Sequence, residues 1–165
     1  MEEQVKRTKR KWIITISLFC LVVAPVGFVI WAWADYWNGQ NNFDTREDLR
    51  TVARAMLLYA DKHGGTLPPL QNVDAFKQAV LPYIDVPKQS WTQFASRVDH
   101  VPYQTNSALS GKKMADIPAP ERQIILYQDQ ARGLWGQRWV LFLNGQPRLI
   151  DGKNWPHVKQ VARLP

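Results

Sequence analysis

The chain has 165 residues, with 21 basic against 14 acidic side chains, a formal net charge of +7, and 45% apolar residues. That apolar share excludes an intrinsically disordered polymer, and the length sets one modest domain as the expectation. A single cysteine excludes an internal disulfide and a cysteine-ligated metal centre.

Residues 12–34, WIITISLFCLVVAPVGFVIWAWA, carry no charged side chain. About 20 apolar residues suffice to cross a bilayer as a helix, the only open-ended structure that bonds its backbone internally in hydrocarbon. The run therefore predicts one transmembrane helix over 12–34, with Pro25 and Gly27 as a kink near its middle. Trp12 stands at one end and Trp31, Trp33, Tyr36 and Trp37 at the other, the depth at which aromatic side chains meet headgroups. Lys6, Arg7, Lys9, Arg10 and Lys11 precede the run, so the positive-inside bias keeps residues 1–11 in the cytoplasm and exports residues 35–165. A cleaved signal peptide shares this basic start, and Ala32-Trp33-Ala34 fits its cleavage pattern; the length of the apolar run favours an uncleaved anchor. The basic arm reads as a topology determinant that also meets anionic lipid, and not as a nucleic-acid contact.

Asn38-Gly39-Gln40-Asn41-Asn42 is poor in helix formers and predicts a tether over 35–44. Asp44 with Glu47 resembles an N-terminal cap. Leu49, Val52, Ala53, Met56, Leu57 and Ala60 then recur at steps of three and four, predicting an amphipathic helix over 45–62. Arg46, Arg50, Arg54 and Asp61 fall on its solvated face, and Gly64-Gly65 ends it. A second helix is expected over 73–81, capped by Asn72 or Asp74, with Phe76, Val80 and Leu81 on one face. The segment 87–110 is irregular apart from a short strand near 101–105, and 106–122 reads as loop. Strands are expected at 123–127, 138–143 and 148–150. Asn144-Gly145 turns between the last two, and Pro147 places the third at an edge. Asn154, Trp155 and Pro156 open a final helix to about Leu164. The fold class is α+β: a helix packed on a small antiparallel sheet in a head spanning 45–165.

Motifs for catalysis are missing. His63, His100 and His157 stand apart with no carboxylate or cysteine at ligand spacing, and His63 suits a donor to free carbonyls at a helix end. Asp151-Gly152-Lys153-Asn154 reads as a turn and helix cap, lacking the remaining ligands of a calcium loop. Gly111-Lys112 lacks the spacing of a phosphate loop, with Asn106 and Lys113 in the wrong places, and there is no serine-hydrolase elbow. No catalytic, cofactor-binding or metal residue is assigned, and no cofactor is expected.

Residues 48–69, DLRTVARAMLLYADKHGGTLPP, closely match a segment that follows the membrane helix in bacterial type II secretion pseudopilins and type IV pilin-like proteins. Asn106 to Lys112, Asp116-Ile117-Pro118, Ile124 to Tyr127 and Val140 to Gly145 follow in the order of the branch with a C-terminal H-x9-D-G signature. The chain thus resembles that family from about residue 45 to its end. The resemblance implies a single-pass protein of the bacterial inner membrane, with a non-enzymatic periplasmic or extracellular head. Its partners would be the lipid bilayer, through residues 12–34, and other envelope or secretion proteins. The chain departs from the family at the processing site, where Lys11 and Ile16 replace Gly and Glu. It departs again in the signature, where Leu134, Asn144 and Gln146 replace His, Asp and His. The break at 38–42 would also divide the long helix that pilins build. Two other classes stand beside this one: a tethered module binding a small ligand or polysaccharide through exposed aromatics, and a hydrolase with an unrecognised site.

Overall fold

The computed structural model describes residues 2–84, 94–95, 103–132 and 135–164, with side chains from residue 23 onward except 24 and 34–41. It forms two compact units, residues 1–42 and 43–165. The class is α+β, with a four-stranded antiparallel sheet in the order β1-β2-β3-β4.

The first helix, α1, runs Glu2–Lys62 and contains Pro25. The expected tether over 35–44 is therefore corrected, because Asn38 to Asn42 is helical backbone. Weak formers such as Asn and Gly cost at most about 1 kcal/mol each in a helix interior, whereas restarting a helix requires a new and costly nucleus. No proline interrupts this stretch. Asp44 consequently sits inside a helix and not at its start, and Glu47 pairs with Arg50 one turn on.

Within residues 43–165 the amphipathic pattern holds for most of its stripe. Leu49, Val52, Ala53, Met56 and Ala60 are buried; Leu57, expected beside them, is 39% exposed. The helix ends as Gly64-Gly65 foretold, with φ of 63° and 79°. The Gly65 amide donates to the Ala60 carbonyl at 2.8 Å, satisfying an acceptor the last turn would leave free. Helix α2, Val73–Val80, is capped by Asn72, whose side chain accepts from the Ala75 amide. Phe76 and Val80 are buried, while Leu81 lies beyond the helix in a 3-10 turn with Pro82 and is 41% exposed. A proline at that point ends the α pattern and rotates Leu81 off the apolar face.

Strand β1 is Gln104–Thr105, β2 Ile124–Tyr127, β3 Arg138–Phe142 and β4 Pro147–Ile150. Of the strand expected near 101–105, residues 101 and 102 lie outside the described residues, as does His100. Pro147 opens β4, which pairs with β3 alone and forms an edge, as expected from its missing donor. The hairpin joining them has a three-residue loop. Leu141 opposes Pro147, Gly145 donates to the Phe142 carbonyl, and Phe142 donates to Gln146. Only Gly145, with φ 82°, takes the left-handed conformation; the Asn144 side chain accepts from the Gln146 amide instead.

The two central strands, β2 and β3, are buried on both faces. Trp139, Leu141 and Leu143 join Leu49, Val52 and Met56 of α1 in one apolar cluster. Val140 and Phe142 point the other way, packing with Trp155, Ala162 and Leu164 around α3, Trp155–Val161. Phe142 therefore faces α3 and not the long helix. In β2 the register shifts between Ile124 and Leu126. Ile125 and Leu126 consequently both join the α1 cluster, while Ile124 and Tyr127 join the α3 cluster. Helix α3 has no side-chain cap from Asn154; the Asp151 carbonyl accepts from the Asn154 and Trp155 amides.

Truncating Met56 to Ala should cost about 2–5 kcal/mol, since its side chain is fully enclosed. Arg54→Ala, on the exposed face, should stay within about half a kcal/mol. Urea unfolding of the two variants measures the contrast; equal losses would refute this packing.

Candidate functional site

Among the described residues, no group of three or more His, Cys, Asp or Glu is placed to hold a metal ion. His63 stacks on Tyr59 with ring centroids 3.9 Å apart, and its Nδ1 lies 2.7 Å from the Tyr59 carbonyl. That is the helix-end role its position suggested. His157 is exposed on α3. No hydrogen bond among the described residues joins a serine hydroxyl to a histidine; the Ser110 hydroxyl accepts from the Leu70 amide. Gly111 serves a turn with φ 67°, and Leu134 lies outside the described residues.

The segment 106–122, expected as loop, holds two 3-10 turns and is tied into the fold. Leu67 donates to Lys112, and Met114 donates to Gly65. Asn106 is 1% exposed, and every polar contact it makes is structural. Its Nδ2 donates to the Ile124 and Ala162 carbonyls at 3.0 and 3.4 Å, its Oδ1 accepts from Ala108, and its amide donates to Ile125. It thereby joins the start of β2 to the end of α3. Beside it lies a cleft of about 280 Å³ whose charged walls are Lys112, Asp116 and Arg163. Arg163 holds φ 52°, the position after a helix where glycine is usual, and Leu164 donates to Lys159 across it.

Gln128 is a second buried amide, 1% exposed. Its Oε1 accepts from the Trp139 amide at 2.8 Å and its own amide donates to the Trp139 carbonyl, so the side chain extends the β2–β3 ladder past its end. Its Nε2 has no partner among the described residues.

A more open concavity of about 430 Å³ is lined by Trp135, Gly136, Asp151, Gly152 and Lys153. Two backbones meet here. The Gly152 amide donates to the Trp135 carbonyl at 2.9 Å, and a Cβ on Gly152 would lie 2.9 Å from that oxygen and 3.0 Å from the Gly136 oxygen. Gly136 itself holds φ 59°. The contact pins a loop that leaves Trp135 77% exposed. Gln137 Nε2 donates to Asp151 Oδ1, and Arg138 donates to the Asp129 and Gly136 carbonyls while lying over the Trp155 ring, 5.1 Å from its centroid. Asp151 to Asn154 therefore form a turn leading into α3, as expected, and one wall of this concavity besides. Nothing local in the chain marks the approach between residues 136 and 152; the two glycines alone were the available sign.

Tyr127 packs against Trp155, and burial, with the Asp129 charge adding to it, pushes its phenol above the ordinary value. No family model matches the chain, and no curated protein or solved structure is found similar to it.

Gly152→Ala should unfold the head at a clearly lower temperature than wild type, because the added methyl meets main-chain oxygens that cannot swing aside. A thermal melt within 1–2 degrees (about the scatter of a neutral surface change) would contradict the close approach. A raised phenol pKa means the folded state holds that proton more tightly. The stabilisation is complete below about pH 10, the unfolded value, and is lost as pH rises through the folded one. Tyr127→Phe should therefore flatten the loss of stability above about pH 10, measured by denaturant midpoint against pH.

Proposed function

We propose that the chain is a membrane-anchored, non-enzymatic protein of pseudopilin-like design, whose exported head contacts other components of the bacterial envelope. The observation that carries this is the character of α1 between residues 23 and 33. Val23, Val26, Phe28, Val29, Ile30, Trp31 and Trp33 are each 45–66% exposed. At 100° per residue these positions project around the whole circumference of the helix. An amphipathic helix has one apolar stripe; a helix apolar on every side requires an apolar surround. Bilayer hydrocarbon provides one, and the uncharged run at 12–34 is long enough to cross it.

Among the described residues no helix is long and apolar enough to cross a membrane. The side chains of residues 12–22, half of the run, lie outside them. The transmembrane assignment thus rests on the sequence and on the exposed apolar side chains just named. Helical backbone through residues 38–42 supports the resemblance to pilins, since the polar stretch leaves α1 unbroken. Lys11 and Ile16 at the processing site favour retention of the anchor.

The test is topology. Fused at its C-terminus to alkaline phosphatase, the full chain should give an active reporter in the bacterial envelope, and a cytoplasmic reporter at the same place should be silent. The reverse pattern would overturn export of the head.

A further inference from the structure

The charge of the exported part is not spread evenly. Residues 35–122 contain ten basic and ten acidic side chains, whereas residues 123–165 contain six basic and two acidic, the whole of its net +4. The basic segment is the one that forms β2, β3, β4 and α3. Arg138 and Arg148 oppose Ile150 and Val140 across the β3–β4 ladder, on the α3 side of the sheet. Arg138 lies over Trp155 and Arg148 over Phe142, and among the described residues neither meets a carboxylate. Lys153, exposed just before α3, has no ion pair among the described residues.

Trp135 stands at the edge of this basic face. A tryptophan 77% exposed forfeits the burial that is the usual use of so large a ring. The Gly152–Trp135 contact fixes the main chain from which the ring projects. Beside it the wall of the concavity is polar: Asp151, Lys153 and glycine backbone. An acidic protein segment would be met in that slot by no apolar neighbour for Trp135. A phosphodiester offers no hydroxyl to donate to the Asp151 carboxylate. A sugar ring carrying a carboxylate suits these features: its C–H face lies on the indole, a hydroxyl donates to Asp151, and its carboxylate meets Lys153.

We propose that Trp135, Asp151 and Lys153 form a binding site for an acidic polysaccharide. This rests on export of the head, where such polymers occur, and names one class of envelope component that the head contacts.

The experiment titrates the purified full-length protein, in lipid nanodiscs, with an oligogalacturonate by isothermal calorimetry. Binding should be present at low salt and weaken as salt rises. Trp135→Ala should weaken it roughly tenfold, the scale of one lost ring contact, without lowering the melting temperature. Trp135→Phe should retain most of it, and Lys153→Gln should weaken it and flatten the salt dependence. A neutral cello-oligosaccharide should bind far less, and polyglutamate should bind without sensitivity to Trp135→Ala. The proposal is overturned by no oligogalacturonate binding, by binding indifferent to Trp135→Ala, or by tighter, Trp135-dependent binding of polyglutamate or oligodeoxythymidylate. A failed titration alongside an active phosphatase fusion removes this site alone; a silent fusion removes the export reading on which it rests.

Discussion

Strand β3 has no solvent face. Trp139 and Leu141 point to one side and Val140 and Phe142 to the other, and all four are at most 7% exposed. A strand buried on both sides demands a cover on both. The C-terminal part of α1 supplies one, with Leu49, Val52 and Met56; α3 supplies the other, with Trp155 and Ala162. The bulge in β2 follows from the same demand, since it turns Ile125 and Leu126 together toward the larger cluster. The edge strand β4 can remain short because Pro147 and the exposed Arg148 discourage further pairing.

Holding a seven-residue helix on that second face requires more than its few apolar side chains. Asn106 provides a fixed tie, bonding β2 and the end of α3 from a position sealed from water. A buried amide with its donors and acceptor matched is stable and directional; the same group left unmatched would cost about 1–3 kcal/mol. At the other end of α3 the Gly152–Trp135 contact fixes the entry to the helix. The two ends of one short helix are thus positioned by polar backbone contacts, and its middle by apolar packing.

These constraints bear on function through what they leave outside. The helix α1 carries apolar side chains on every side between residues 23 and 33, and residues 123–165, which form β2 to β4 and α3, carry six basic against two acidic side chains. The proposed membrane anchor rests on the first, and the proposed anionic ligand on the second.

Much of the architecture was legible in the chain itself. The helix stripe from Leu49 to Ala60, the stop at Gly64-Gly65, the Asn72 cap, three of the strands and the edge position of Pro147 all depend on periodicity or on the backbone limits of glycine and proline, which act within a few residues. The charge-free run and its basic flank are equally local. What failed locally was the tether, because propensity is a small term against the cost of restarting a helix, and the Asp44 cap failed with it. Only the tertiary structure decided that Phe142 faces α3, that β2 carries a bulge, that Asn106 is a buried tie and that residues 136 and 152 touch. Each of these depends on which distant segment lies alongside, and a run such as Ile124 to Tyr127, apolar at every position, has no alternation from which its two faces could be told apart.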